Sequence, residues 1–272
     1  PSTISSDDLA RDRQFGGLRV SQPVSSALDD MGYAAPTPIQ EQIIPAMLEG
    51  GDLVGQAQTG TGKTAAFGIP LAETLDPGER NVQAVVLTPT RELAIQVSEE
   101  LRSLCRYREL RVVTVYGGQS MNRQIDALRQ GAHIVVGTPG RMLDHLGRGT
   151  LRLDWVRTAV LDEADEMLDI GFADDIERIL RFTPSSRQTA LFSATMPKPI
   201  VAMAKRYQKD ALRISTMSEE RGHGDISYQA VTVAPSGPLS TMRVSMSRGR
   251  LPPASVAHMA SSSWSSTVPP FT

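Results

Sequence analysis

The stretch that most constrains this chain is residues 57–64, AQTGTGKT, entered directly from the apolar run DLVGQ at residues 52–56. It has the form of a phosphate-binding loop with one substitution, Ala57 standing where the general pattern has its first Gly. Gly60 and Gly62 let the backbone curl so that successive N–H groups point inward at an anion. Lys63 supplies a point charge for the terminal phosphates, and the Thr64 hydroxyl is a ligand for Mg²⁺. The residues that follow, AAFGIPLAETL, read as a helix whose positive N-terminal end faces the same anion. A Gly- and Thr-rich turn between a strand and a helix is the plainer alternative. Strand, loop, Lys-Thr and helix in that order favour a nucleotide site over it.

Length and charge set the bounds around this loop. A chain of 272 residues can hold one large domain or two small ones, with a substantial core in either case. The net charge of −2 excludes a globally basic surface. It does not exclude nucleic acid, because a local patch or aligned backbone amides can hold a phosphate chain on a neutral protein. Cys105 is the only cysteine, so no intrachain disulfide forms, and its helical apolar setting in LRSLCRY marks a buried structural thiol. His133, His145, His223 and His258 show no metal-ligand spacing, and His133 reads as structural at the start of a buried strand. No apolar run approaches the roughly 20 residues of a membrane span. The polar start PSTISSDDLARDRQ lacks a signal-peptide core, so a cytoplasmic protein without a membrane partner is expected.

In chain order, residues 1–14 are expected to be a flexible arm. Ser21 caps a helix with Pro23 in its first turn, which runs to Met31 and ends at Gly32. Tyr33 and the extended APTPIQ segment lead into a second helix carrying IIPAML. The Gln40 amide can donate and accept at once, which suits the N6 and N7 edge of adenine. Beside a Thr-Pro helix start it is equally a capping or surface residue. Beyond the phosphate loop, the runs AVVLTP, RVVTVY, HIVVGTP, TAVLDE and TALFSAT are each followed by a helical segment. This alternation argues for βαβ units and a mostly parallel sheet with helices on both faces. Ligands of such sheets gather beyond the carboxyl ends of the strands. The polar stretches lie there: PTRELA from Pro89, the pair Gly117 and Gly118, TPGR from Thr138, DEAD from Asp162 and SAT from Ser193.

Two of these have a mechanical reading. Asp162 arrives at the sheet edge beside the phosphate loop, where it can hold the Mg²⁺ shell, while Glu163 can polarise a water for attack on a γ-phosphate. An acidic helix start is the alternative for both. Arg91 and Arg141 each lie just beyond a Thr-Pro at a strand end and precede a helix. A guanidinium with free backbone N–H groups suits the phosphates of a nucleic-acid backbone and reads no base. Either Arg alone is equally a surface ion-pair residue.

With these residues assembled, the chain resembles the N-terminal RecA-like domain of a DEAD-box ATP-dependent RNA helicase over about residues 15–215. Phe15 and GYAAPTPIQ resemble the adenine-recognition element, with Gln40 reading adenine and Tyr33 framing it. In this family Ala57 is the usual first residue of the phosphate loop. The resemblance implies ATP bound by Ala57, Gln58, Thr59, Gly60, Thr61, Gly62, Lys63 and Thr64, with Mg²⁺ held through Thr64 and Asp162. It implies catalysis by Lys63, Asp162 and Glu163. Pro89, Thr90, Arg91, Gly117, Gly118, Thr138, Pro139, Gly140 and Arg141 are implied to grip RNA, single-stranded or duplex, through its backbone. Ser193, Ala194 and Thr195, with Asp165, are implied to couple hydrolysis to strand separation.

The departures are informative too. Such helicases have a second RecA-like domain carrying an arginine finger. Within an expected linker at residues 216–235, DISYQAVTVAP at 225–235 resembles the approach to it, but no His-Arg-Ile-Gly-Arg-like segment exists in the chain. Residues 236–272 are Ser- and Pro-rich with no helical or strand period, and are expected to be a disordered, truncated or frame-shifted tail. The expected function is therefore the ATP-binding half of an RNA helicase, nearly inactive alone. A rival is a non-catalytic ATP- and RNA-binding module awaiting a partner domain. Another is a different phosphate-loop enzyme, against which the adenine element, PTRELA, TPGR and DEAD all argue.

Overall fold

The structure, a computed structural model, describes residues 13–216. The expected arm at residues 1–12, the linker beyond residue 216 and the tail at residues 236–272 lie outside the described residues, as do His223 and His258. The described chain opens with a hairpin, β1 (Arg13–Phe15) and β2 (Leu18–Val20), followed by α1 (Gln22–Asp30) and α2 (Pro38–Leu48). Then strands and helices alternate: β3 (Leu53–Gln56), α3 (Lys63–Thr74), β4 (Ala84–Leu87), α4 (Arg91–Leu104), β5 (Val112–Val115), α5 (Met121–Arg129), β6 (Ile134–Gly137) and α6 (Pro139–Gly147). The series ends with β7 (Thr158–Leu161), α7 (Ala164–Ile170), α8 (Ala173–Arg181), β8 (Gln188–Ser193), α9 (Lys198–Tyr207) and β9 (Leu212–Ser215). Strands β3 to β9 form one sheet in the order β5-β6-β4-β7-β8-β3-β9, and every pairing in it is parallel.

The unbroken apolar runs follow from that arrangement. A parallel strand with helices on both sides must be apolar at every position, and β4, β6 and β7 are buried at every residue. Their side chains nevertheless part by face. Val86, Ile134, Val136, Val160, Ala190 and Phe192 enter one core with residues of α1 to α4. Val85, Leu87, Val135, Ala159, Leu161 and Leu191 enter the other with residues of α6 to α9. Phe67 of α3 and Phe192 of β8 are both fully buried, with ring centroids 5.3 Å apart, so the phosphate-loop helix is packed directly onto the sheet. Full burial of side chains this size contributes about 1.5–3 kcal/mol each. The architecture is the RecA-like P-loop NTPase fold.

Three features differ from the reading of the sequence. The β1–β2 hairpin starts at Arg13, inside the stretch expected to be an arm; its turn is Gly16 and Gly17 between Phe15 and Leu18. Strand β9, which pairs with β3, went unread because only Ile214 of its four residues is buried. Ser21 occupies the helix-capping position of α1 but its hydroxyl makes no capping bond; its backbone N–H instead donates to Glu73 Oε1 at 2.7 Å.

Arg108 is a further stabilising contact with no local sequence signal. It lies in a 3-10 turn (Arg106–Arg108) and donates to the carbonyls of Ala72 (2.9 Å), Glu73 (3.3 Å) and Leu75 (3.3 Å), the acceptor end of α3. Those carbonyls have no partner within their own helix, and a cation is favoured at that end. Arg108→Ala should lower the unfolding free energy by about 1–3 kcal/mol, the range for charge-assisted bonds at a partly buried site. Urea denaturation of the two chains measures it, and an unchanged midpoint would rule out this role.

Candidate functional site

The strand order divides the carboxyl edge of the sheet in two. Neighbours β7, β8 and β3 deliver Asp162 and Glu163, the segment 193–195, and the phosphate loop. Neighbours β5, β6 and β4 deliver Gly117 and Gly118, the segment 138–141, and the segment 89–91. Each half gathers segments that are far apart in the chain.

In the first half, Ala57 is buried and its N–H donates to Ser193 O at 3.2 Å, which ties the loop to β8. Gln58, Thr59 and Gly60 are exposed, Thr61, Gly62 and Thr64 half-buried. Gly62 begins α3 at φ +88°, and a Cβ there would fall 2.4 Å from Gln40 Nε2, so only glycine fits. Lys63 is buried and its Nζ donates to Ala57 O at 3.3 Å.

Asp162 is only 2% exposed, with one oxygen accepting the Glu163 N–H at 3.1 Å. Burial pushes its pKa up to about 6 despite the opposing charge of Lys63. Glu163 sits in the left-handed region at φ +51°, a costly backbone for a non-glycine residue and one that is most often found at functional turns. Its pKa is pushed up to about 7, first by burial, then by a hydrogen bond with Glu166 and by the Asp162 charge. Asp165 goes the other way. Burial raises it, but bonds from the Thr195 hydroxyl (2.7 Å) and N–H (2.9 Å), with Ser193, together hold it below the usual range. Ala194 O accepts from Gln56 Nε2 at 3.4 Å, and the Ser193 hydroxyl donates to Thr195 O.

The adenine-element residues are placed differently from one another. Gln40 is fully buried (0% exposed): its Oε1 accepts the Thr37 N–H at 2.9 Å and its Nε2 donates to Gly62 O at 3.1 Å. Thr37 Oγ1 also donates to Thr61 O at 2.9 Å. The start of α2 is therefore bolted to the phosphate loop. Phe15 is buried in the core on that side, while Tyr33 is half-buried, with its hydroxyl on Glu100 Oε1 at 2.9 Å and its pKa raised by burial to about 12.

In the second half, Pro89 and Pro139 are buried at their helix starts, Thr90 and Thr138 are half-buried, and Thr90 Oγ1 caps α4 by accepting the Leu93 N–H. The exposed Arg91 lies over the Tyr116 ring, 5.1 Å from its centroid, and beside Gly118, which has φ +80°. The Arg141 side chain is only 14% exposed; its Nη1 donates to Gln119 O at 3.1 Å and its Nε lies 3.8 Å from Asp144. The two arginines thus meet at one turn, residues 116–119, with Gly117, Gly118 and Gly140 exposed around them. Sequence reasoning missed Tyr116, Gln119, Gln124 and His145 here. A signal existed for the last two: Gln124 shares the inward stripe of α5 with Ala127 and Leu128, and His145 shares that of α6 with Met142 and Leu146. His133 and Cys105 are as read, both buried.

Residues 37–203 match the DEAD/DEAH box helicase family. The chain is 53% identical over 206 residues to the DEAD-box ATP-dependent RNA helicase CshA of Geobacillus kaustophilus, covering 76% of this chain and 44% of that protein. The CshA of Bacillus subtilis is 52% identical over the same length, with 42% of it covered. Among solved structures, a DEAD box protein from Methanococcus jannaschii aligns with TM-score 0.72 and 46% identity, covering 75% of this chain and 56% of the other. The chain spans less than half the length of the curated relatives it matches.

Asp162 gives a test that needs no ligand. Its folded-state pKa lies above its ordinary value of 3.8, so the folded chain holds this proton more tightly than the unfolded one. Its contribution is therefore full below about pH 4 and lost as pH rises through about 6. Asp162→Asn should raise nucleotide-free stability at pH 8 by on the order of 1–3 kcal/mol, with the gain vanishing near the acid end. Thermal unfolding across pH measures this; a variant less stable than the parent at pH 8 contradicts it.

Proposed function

Because the chain belongs to the DEAD/DEAH box helicase family, we propose that the two halves of the carboxyl edge are an ATP–Mg²⁺ site and a single-stranded RNA site on one half of an ATP-dependent RNA helicase. The observation that supports this most is the strand order. It gathers the phosphate loop, Asp162, Glu163 and the segment 193–195 on β7-β8-β3 and every segment assigned to RNA on β5-β6-β4.

The residues on the nucleotide side suit Mg²⁺. A carboxylate as deeply buried as Asp162, with its pKa at about 6, is under-compensated by Lys63 alone, and a divalent cation is the charge that would balance it. Among the described residues no group of three or more His, Cys, Asp or Glu side chains could hold a metal ion by itself. Thr64 and Asp162 would therefore share the ion with phosphate oxygens, as Mg²⁺ prefers. When bound, the ion neutralises charge developing on the transferred phosphoryl group. Lys63 places its ammonium on the terminal phosphates. Glu163, with a pKa near neutrality, is matched to taking a proton from the attacking water. Asp165, held by Thr195 and Ser193, links that carboxylate turn to the β8 loop, which is the path assigned to coupling.

Gln40 keeps one N–H and one lone pair beyond its bonds to Gly62 and Thr37, the pair an adenine edge would use. Its complete burial means that adenine contact requires the residues around it to yield. Gln40→Ala should weaken ADP binding by about tenfold and GDP binding less, erasing an adenine preference. Equal losses for the two nucleotides would leave Gln40 as a brace for the loop alone.

Turnover by the 272-residue chain on its own should be slow. Lys63, Thr64, Asp162 and Glu163 supply one side of the charge cage around the γ-phosphoryl group. The other side, an arginine finger worth about 10³–10⁵ in rate, belongs to the second RecA-like domain in this reading. Steady-state ATPase with saturating RNA tests this, repeated with the second domain of a related helicase added in trans. Rescue by that domain is expected. RNA-stimulated turnover at ordinary enzyme rates by the chain alone would overturn it.

A further inference from the structure

Behind the turn at residues 116–119 lies a buried chain of polar side chains with no partner in the functional reading so far. Gln124 of α5 is buried, and its Nε2 donates to Tyr116 O at 2.9 Å and to Gln119 Oε1 at 3.2 Å. That uses both of its N–H groups. Its Oε1 faces His145 Nε2 of α6 at 3.1 Å, so this ring nitrogen must be the donor. The other ring nitrogen, Nδ1, lies 2.9 Å from the Thr150 hydroxyl, whose single proton is shared between this nitrogen and the His145 carbonyl at 3.1 Å. With Nε2 as donor, every polar atom of the Gln124 amide and the His145 ring has a partner. A buried amide and imidazole satisfied in this way hold a fixed geometry, because any shift leaves a polar group without a partner.

The turn held by Gln124 from beneath is the one that Arg91 and Arg141 reach from above, over the Tyr116 ring and onto Gln119 O. From these contacts we propose that Gln124, backed by His145 and Thr150, is a positioning residue for RNA binding. It fixes the turn so that the exposed Gly117 and Gly118 stand beside the two arginines, available to a phosphate backbone. The proposal rests on the RNA reading of the β5-β6-β4 half. It assigns Gln124 no contact with RNA of its own. Burial, then the neighbouring Arg141 charge, lowers the His145 pKa and so favours the neutral ring, in which Nδ1 is an acceptor for the Thr150 hydroxyl.

The test is single-stranded oligouridine binding to the whole chain at low salt, followed by fluorescence anisotropy, beside fluorescent ADP binding. Gln124→Leu keeps the side-chain bulk and removes both donors. It should weaken RNA about tenfold and leave ADP within about twofold. Arg141→Ala should weaken RNA similarly. The double variant should lose little more than either single one, since both act through the same turn. Additive losses, or an equal loss of ADP affinity, would mean that Gln124 merely supports the fold. Unchanged RNA affinity for Gln124→Leu, with a clear loss for Arg141→Ala, would overturn the positioning role alone. No loss for Arg141→Ala would instead defeat the RNA reading beneath it. If Gln124→Leu fails to fold, Thr150→Val decides in the same way: about a threefold loss of RNA affinity with ADP unchanged is expected, and no loss rejects the proposal.

Discussion

A sheet buried on both faces leaves polar chemistry only its rim. With helices α1 to α4 on one side and α6 to α9 on the other, the inner strands β4, β6 and β7 cannot present a charged residue from their middle without burying it. Polar groups must therefore collect where the strands end and the loops begin. The carboxyl end is favoured because the helix N-termini that follow the strands turn their free N–H groups and dipoles toward it. The phosphate loop, the polar segments that follow β4, β6, β7 and β8, and the turn at residues 116–119 all lie on that one edge.

Burial at the edge then differentiates groups of the same chemical type. Asp162, Glu163 and Asp165 fall within four residues, yet the first two are pushed upward and the third is held down. Desolvation acts on all three. What separates them is donors: Asp165 receives a hydroxyl and an N–H from Thr195, while Asp162 faces Lys63 and Glu163 faces the carboxylate of Glu166.

The same edge is braced from outside the sheet. Thr37 and Gln40 bond the carbonyls of Thr61 and Gly62, and Tyr33 bonds Glu100 on α4, the helix that begins at Arg91. The segment read as an adenine element thus touches both the phosphate loop and the helix carrying an RNA-assigned arginine. Gln40 shows why a residue's type does not settle its use. The same amide that suits an adenine edge also closes a helix start, and in this structure it is wholly buried while closing one.

Much was determined by sequence alone. The loop 57–64, the five apolar runs and the short polar segments after them name a parallel α/β nucleotide fold, because apolar periodicity and phosphate-loop chemistry are local properties. The all-buried strands even reported their own burial on two faces. What the sequence did not contain was strand order, which depends on non-local packing and decides that Arg91, Gly118 and Arg141 meet at one turn while Lys63 and Asp162 meet at another. Weakly patterned pieces were hidden for a related reason: β9 buries one residue of four, and Arg108 finds its three carbonyls about 35 residues away along the chain. Gln124 and His145 were hidden differently, as polar residues on inward helix faces whose partners exist only once α5, α6 and the turn beyond β5 have come together.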